Sequence, residues 1–240
     1  METILKLSDF HVPHHDETAI DVALKVGRAI KPKIVILDEV VDFYALSKFN
    51  KDPRQKLCLQ ENLDISHSIL AKIRKSFPTQ RIIMLESNHD RRLEKYLNSK
   101  AEELRYLRNL SLYSLLDLGT LCISYMKDFV YKDVLFKHGE VVRNQSGYTA
   151  RGERDREGMS GISGHTHRLG MHFKTLRGGS YVWVEGGCLC LIDDVEYIEG
   201  TADWQQGVAG VSFEDNGKMF FPFIIPIIDH KAIYGGKVYQ

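Results

Sequence analysis

The sequence predicts an α/β fold in which two sheets pack face to face with helices outside. Three observations carry this reading. In the first half, continuous apolar runs alternate with stretches of helical periodicity, and such runs mark parallel strands buried on both faces. In the second half, short strand-like segments dominate instead. A β-rich half joined to an α/β half calls for two layers of sheet around one core.

Each element follows in order. Ile4–Ser8 opens as a short strand, and Asp16 offers an N-cap for an apolar-periodic helix that runs to about Ile30, where Lys31-Pro32 stops it. Ile34–Leu37 is the next strand and closes a β-α-β unit. Ile65, Ile69, Leu70, Ile73 and Phe77 fall on one helical stripe, Pro78 ends that helix, and Arg81–Glu86 supplies a third strand. From Arg91 to Leu118 the pattern is helical, rich in Leu, Tyr, Arg and Glu, and covers one edge of the sheet. Beyond about Leu121, strands are predicted at Leu121–Tyr125, Val134–Phe136, Gly161–Ile162, Tyr181–Val184, Gly207–Phe213 and Met219–Ile228. The chain has no internal repeat and no low-complexity linker, so residues 1–240 read as a single domain.

Composition narrows the function. Lys and Arg number 32 and Asp and Glu number 32, a balance that argues against affinity from a bulk basic field over nucleic acid or anionic lipid. Any contact with nucleic acid must therefore be local. The most apolar stretch, Met219–Ile228, is too short and too interrupted by proline to span a bilayer, so no membrane association is expected. The N-terminus lacks the pattern of a secretory signal, which makes the cytoplasm the expected compartment. Four cysteines make no disulfide framework, and the alternation in Cys188–Ile192 predicts a strand with two small buried hydrophobes.

Histidines and carboxylates gather at the predicted strand ends. Asp9 and His11 are two apart after the first strand, where an extended backbone sends both side chains to one side. Asp38-Glu39-Val-Val-Asp42 follows the second strand, at the carboxyl ends of parallel strands where open α/β sheets place ligands. The third strand ends in Ser87-Asn88-His89-Asp90, an amide that can ligate a hard ion beside an imidazole that can carry a proton. His138-Gly139 and Gly164-His165-Thr166-His167 follow two later strands. Each segment alone has an ordinary explanation as a cap, a solvated turn or a core histidine. Taken together they offer ligands for two adjacent divalent ions, and metal catalysis accounts for all five at strand ends.

In these motifs the sequence resembles the calcineurin-like metallophosphoesterase superfamily, whose pattern runs D-x-H, G-D-x-x-D, G-N-H-D/E, a lone H before G, and G-H-x-H. Order and rough spacing match from Asp9 to His167, about two thirds of the chain, and the tail with Trp204-Gln-Gln-Gly207 resembles small stand-alone members from phage and bacterial genomes. The resemblance implies a four-layer α-β-β-α sandwich of two mixed sheets. It implies two divalent ions, Mn²⁺ first and Zn²⁺, Fe²⁺/Fe³⁺ or Ni²⁺ as alternatives. Asp9, His11 and His167 would hold one ion, and Asn88, His138 and His165 the other. A carboxylate of the second motif would bridge them. Here the chain departs from the family, with Asp38-Glu39 in place of Gly-Asp, so Glu39 ranks first as the bridging ligand and Asp38 second. A hydroxide between the ions would attack phosphorus in line, and protonated His89 would serve the leaving group. Ser87 also replaces a glycine, a change that matters only if that backbone needs a positive φ.

Candidate substrate contacts lie outside the motifs. Arg143 or Arg151 could clamp a phosphate, although Glu153–Glu157 reads equally as an exposed helix of interleaved charges. His14 sits on the loop beyond Asp9, with His15 beside it. Tyr44, Phe49 and the basic run Lys51–Lys56 could hold a nucleotide or a single strand, or simply pack and snorkel. The expected activity is hydrolysis of a phosphate mono- or diester, such as a nucleotide. The alternatives are a DNA nuclease of the recombination-nuclease branch and a degenerate site that binds a phosphorylated ligand without turnover.

Overall fold

The computed structural model describes residues 1–48, 58–192, 202–215 and 219–240. Strand β1 (Glu2–Leu7) leads to helix α1 (Glu17–Ile30), and β2 (Ile34–Asp38) to α2 (Leu59–Ser76). Then come β3 (Arg81–Leu85), α3 (Asp90–Lys100), the one-turn α4 (Leu112–Leu115) and β4 (Ile123–Met126). The second half holds β5 (Phe129–Tyr131), β6 (Val134–Phe136), α5 (Tyr148–Glu157), β7 (Ser160–Ser163), β8 (Leu169–Leu176), β9 (Gly179–Gly186), β10 (Gly207–Phe213) and β11 (Phe220–Pro226), with a small hairpin of β12 (Ala232–Tyr234) and β13 (Lys237–Tyr239).

Two mixed sheets result. The first has the order β11-β10-β1-β2-β3-β4, and the second β5-β6-β7-β9-β8. β1, β2, β3 and β4 run parallel, as do β6, β7 and β9. Alternation along the central strands then divides the core. Ile4, Ile34, Ile36, Ile83 and Leu85 face the second sheet and pack with Phe136, Ile162, Val184 and Phe213. Their neighbours Leu5, Leu7, Val35, Leu37, Ile82 and Met84 face outward and pack with Ile20 and Leu24 of α1 and Leu70 and Ile73 of α2. On the far side of the second sheet, Trp183 and Leu135 pack against Ala150 of α5. The layers are therefore helix, sheet, sheet, helix, as expected.

Local chemistry explains most boundaries. Asp16 caps α1 by accepting from the Ala19 amide at 2.9 Å, and Lys31 ends the helix in a left-handed conformation. Ser87 and Asp90 cap α3 reciprocally: the Ser87 amide donates to Asp90 Oδ2 at 2.9 Å and the Asp90 amide to Ser87 Oγ at 3.1 Å. Ser87 is not among the residues with positive φ, so its replacement of glycine carries no backbone strain. Glu185, buried on β9, accepts the Gly147 and Ala150 amides at the start of α5 at 2.8 and 3.0 Å.

Three expectations are corrected. Ile65 lies on the outer side of α2, 37% exposed, because the buried stripe runs through Leu63, Ile69, Leu70 and Ile73. Cys188 and Cys190 are buried and free, but their segment makes only isolated bridges, to Gln206 and His15. Gly187, at φ 72°, interrupts the strand just before them. β8 went unpredicted because its outer half, residues 173–176, is exposed and mixes apolar with polar residues, in contrast to the run expected for a buried strand.

The sheets are tied at one edge by Glu2. Its carboxylate pairs with Lys33, accepts from Tyr131 at 2.6 Å and lies 2.9 Å from Lys132, so β1 is clamped to the β5–β6 turn. Lys33, Tyr131 and Lys132 together hold this carboxyl down at about 2, against an ordinary value of 4.5. A depressed acid stabilises the fold above its ordinary value, and that contribution fades as pH falls from about 4.5 toward 2. Glu2→Gln should flatten the pH dependence of the urea midpoint across that window. Gly161→Ala should cost about 1–3 kcal/mol in urea unfolding, because a Cβ there would lie 2.6 Å from the Trp183 ring and 2.7 Å from the Leu135 carbonyl.

Candidate metal centre

The carboxyl ends of β1, β2 and β3 in one sheet, and of β6 and β7 in the other, converge. Backbone hydrogen bonds stitch the loops that leave them. Phe10 and His11 donate to the Glu39 carbonyl at 3.0 and 3.1 Å, Gly164 donates to His138 at 2.7 Å, and Leu189 donates to Asp9 at 3.1 Å. The His165 amide donates to both Asp9 carboxylate oxygens at 3.1 and 3.0 Å, which joins the two sheets.

The backbone here is not extended. Asp9, His11, Glu39, His165 and His167 all have φ between 47° and 77°, five of the thirteen non-glycine residues in that region. The i, i+2 pairs reach one side through left-handed kinks, and the strand geometry expected of them is corrected accordingly. Such conformations cost on the order of 1 kcal/mol each and persist where surroundings over-determine them. Gly164 allows the closest approach, since a Cβ there would overlap Asp9 Oδ2.

Two groups of donor atoms result. In the first, His11 Nε2 lies 2.8 Å from His167 Nε2, 3.1 Å from Glu39 Oε2 and 3.8 Å from Asp9 Oδ1, while His167 Nε2 lies 3.5 Å from that same oxygen. Asp9, His11, Glu39 and His167 together could hold a metal ion. In the second, His138 Nε2 lies 2.7 Å from Asn88 Oδ1, 3.2 Å from His165 Nδ1 and 3.4 Å from Glu39 Oε2. Glu39 Oε2 thus belongs to both groups. All of these side chains are buried except Asn88 and His165, which are half-buried.

Asp38 plays a different part. It pairs with Lys6 of β1, both wholly buried, and its Oδ2 lies 3.3 Å from His138 Nδ1, on the side of the ring away from Glu39. Lys6 also donates to Ser8 at 2.8 Å. Asp42 Oδ2 holds His11 Nδ1 at 2.9 Å and His89 Nδ1 at 3.1 Å. Sequence reasoning missed Lys6 and Arg92. Arg92 donates to the Asp42 carbonyl and carboxylate at 2.8 and 2.6 Å and sits 2.7 Å from His89 Nε2. A guanidinium can only donate, so His89 Nε2 accepts and the ring proton lies on Nδ1, toward Asp42. The signal for Arg92 was its place three residues after His89, one turn along a helix.

The electrostatics follow from burial. Desolvation, with Asp38 and Glu39 nearby, pushes the Asp9 carboxyl up to about 7. Burial works in the same direction on Glu39, but His138, His11 and His89 outweigh it and hold that carboxyl well below the ordinary range. Burial disfavours charge on His138, yet Glu39 and Asp38 raise it to about 9. Burial and the neighbouring His138 push His165 down to about 4, and burial with His11 holds His167 well below the imidazole range.

The substrate-contact candidates stand apart. Arg143 is exposed and its guanidinium donates to the Val142 carbonyl at 2.9 Å. Arg151 lies 3.7 Å from Asp155 one turn along α5. Among the described residues neither makes a hydrogen bond or ion pair with the clustered side chains. His14 is half-buried, its carbonyl accepting from Leu191 at 2.8 Å. Tyr44 opens a 3-10 turn, whereas Phe49 and Lys51–Lys56 lie outside the described residues.

Comparison with known proteins adds the following. No family model matches the chain. Two relatives, each called Gene 54 protein, come from Mycobacterium phages L5 and D29, at 27% and 26% identity over 99% of this chain and 98% of their own length. Among solved structures, Vps29 of Chaetomium thermophilum aligns over 95% of this chain and 87% of its own at 8% identity, with a TM-score of 0.45. Protein TM1076 of Thermotoga maritima aligns over 93% and 99% at 11% identity, with a TM-score of 0.39. No helix among the described residues is long and apolar enough to cross a membrane.

The Lys6–Asp38 pair generates a direct test. Asp38→Ala leaves a buried ammonium unpaired and should cost about 3–5 kcal/mol in urea unfolding, whereas Lys6→Met with Asp38→Leu should recover most of that loss.

Proposed function

We propose that the protein is a two-metal phosphoesterase that hydrolyses phosphate mono- or diesters. Asp9, His11 and His167 would hold one divalent ion, Asn88, His138 and His165 the other, with Glu39 shared between them. The observation that carries the reading is the position of Glu39 Oε2, 3.1 Å from His11 Nε2 and 3.4 Å from His138 Nε2. The motif order resembles that of the calcineurin-like metallophosphoesterases, and the two-sheet sandwich agrees with it.

The residues suit cations. Asp9, Asp38, Glu39 and Asp42 are buried together, and among the described residues Lys6 pairs with Asp38 and Arg92 with Asp42, which leaves Asp9 and Glu39 without a lysine or arginine partner. Glu39 Oε1 has no hydrogen-bond partner among the described residues. Nitrogen and oxygen donors of this mixture suit Mn²⁺, Fe²⁺ and Zn²⁺. Bound there, such ions supply Lewis acidity toward phosphoryl oxygens and make water a nucleophile near neutral pH.

The chain's own groups do the rest. Asp42 fixes the His11 ring through Nδ1, and Asp38, itself neutralised by Lys6, faces Nδ1 of His138, so both rings turn Nε2 inward. With Asp38 engaged in this way, Glu39 is the carboxylate left to bridge. Arg92 places a permanent positive charge beside His89, and together they stand ready for the departing oxygen. Donation of a proton by His89 Nε2 requires it to exchange its Arg92 contact for that oxygen and to take up a proton first.

Metal titration and turnover test this. Purified protein should bind two Mn²⁺ per chain by calorimetry and hydrolyse bis(p-nitrophenyl) phosphate, with activity lost in EDTA and restored by Mn²⁺. Glu39→Ala should abolish two-ion binding and reduce turnover to background. Asp42→Asn should weaken metal affinity about 10–100-fold while leaving the stoichiometry at two. A folded protein that binds no Mn²⁺ would overturn the assignment.

A further inference from the structure

A second feature of α3 bears on what reaches this centre. The helix reads Asp-Arg-Arg-Leu-Glu-Lys-Tyr-Leu-Asn-Ser-Lys, with opposite charges interleaved in sequence. Asp90, Arg91 and Glu94 line one cavity together with Glu86 and Arg105, so both signs meet there. Arg92, Lys95, Tyr96 and Ser99, at spacings of three and four, line another on the opposite side. That second cavity, of about 470 Å³, is completed by Asn88, Lys48 and Lys100 among others, and among the described residues no Asp or Glu lines it. Arg92 is compensated by Asp42, whereas Lys48, Lys95 and Lys100 make no ion pair among the described residues. In a chain of zero net charge, three uncompensated ammonium groups around one cavity make a local anion-attracting field.

We propose that this cavity is the channel by which an unpaired nucleic-acid strand reaches the centre, a proposal that rests on the phosphoesterase reading above. Asn88 lines the cavity and also touches His138, so a strand lying along α3 ends at the donor cluster. From Arg92 to Lys100 the helix rises about 12 Å, a span that meets more than one phosphate of a strand and exceeds what a single phosphate ester uses. Tyr96, 42% exposed between the basic side chains, offers a ring face on which a base can stack. A duplex is too wide to enter a cavity of this volume.

Fluorescence anisotropy tests the proposal. The probes are labelled phosphorothioate strands of roughly 4 and 12 nucleotides, the matching duplex and a labelled mononucleotide, with Mn²⁺ and again with EDTA. Single strands should bind more tightly than duplex or mononucleotide, with affinity falling as salt rises. Lys95→Ala and Lys100→Ala should each lower the magnitude of the log–log salt slope by about 0.7. Tyr96→Ala should weaken binding roughly 5- to 100-fold with the salt slope unchanged. Tighter binding of duplex or mononucleotide, or a salt slope unmoved by either lysine substitution in a variant with unaltered thermal melting, would overturn the channel. Strand binding in EDTA is independent of turnover. Loss of strand binding with Mn²⁺-dependent ester hydrolysis intact sinks this inference alone, whereas strand binding with no metal uptake sinks the phosphoesterase reading.

Discussion

A carboxylate taken out of water must be met by positive charge or by donors, or it gives up its ionisation. Four of them meet where the two sheets converge, and most of the surrounding structure answers that demand. Lys6 reaches from β1 to Asp38, Arg92 comes from α3 to Asp42, the His165 amide covers Asp9, and the imidazoles of His11, His89 and His138 close around Glu39. The left-handed residues belong to the same solution. They turn the chain sharply after β1, β2 and β7, which brings Asp9, His11, Glu39, His165 and His167 to one spot.

Much of the fold was legible because its central strands are buried on both faces. Ile34–Leu37, Arg81–Glu86 and Gly207–Phe213 advertise themselves as apolar runs, and Asp16 and Lys31-Pro32 bracket α1 with recognisable chemistry. β8 was hidden by its exposed outer half of mixed character, and the Cys188–Ile192 alternation misled because Gly187 turns the chain before a ladder can form. Periodicity detects burial, and neither an exposed strand nor an interrupted one writes a clear pattern.

The clustered side chains were legible for another reason. Asp9, His11, Asn88, His89, His138, His165 and His167 are chemically unusual residues at strand ends, and their joint occurrence outweighs any single explanation. Their supporting partners were not legible. Lys6 sits within an apolar strand and Arg92 within a charged helix, where each is one cation among 32. Only three-dimensional proximity separates them from the rest. The gathering of Arg92, Lys95 and Lys100 around one cavity was equally invisible, because interleaved charges read as a uniformly solvated helix until the neighbouring elements are in place.

The Lys6–Asp38 contact also carries a message about how this chain can drift. The second motif of the resembling superfamily has glycine where Asp38 stands, and a glycine there would leave the Lys6 ammonium with Ser8 as its remaining partner among the described residues. Either change alone strands a charge in the interior, so the two positions should be inherited as a unit, lysine with aspartate or neither. Among remote cousins, the residue at the third-from-last step before the first motif's aspartate would foretell the one that opens the second.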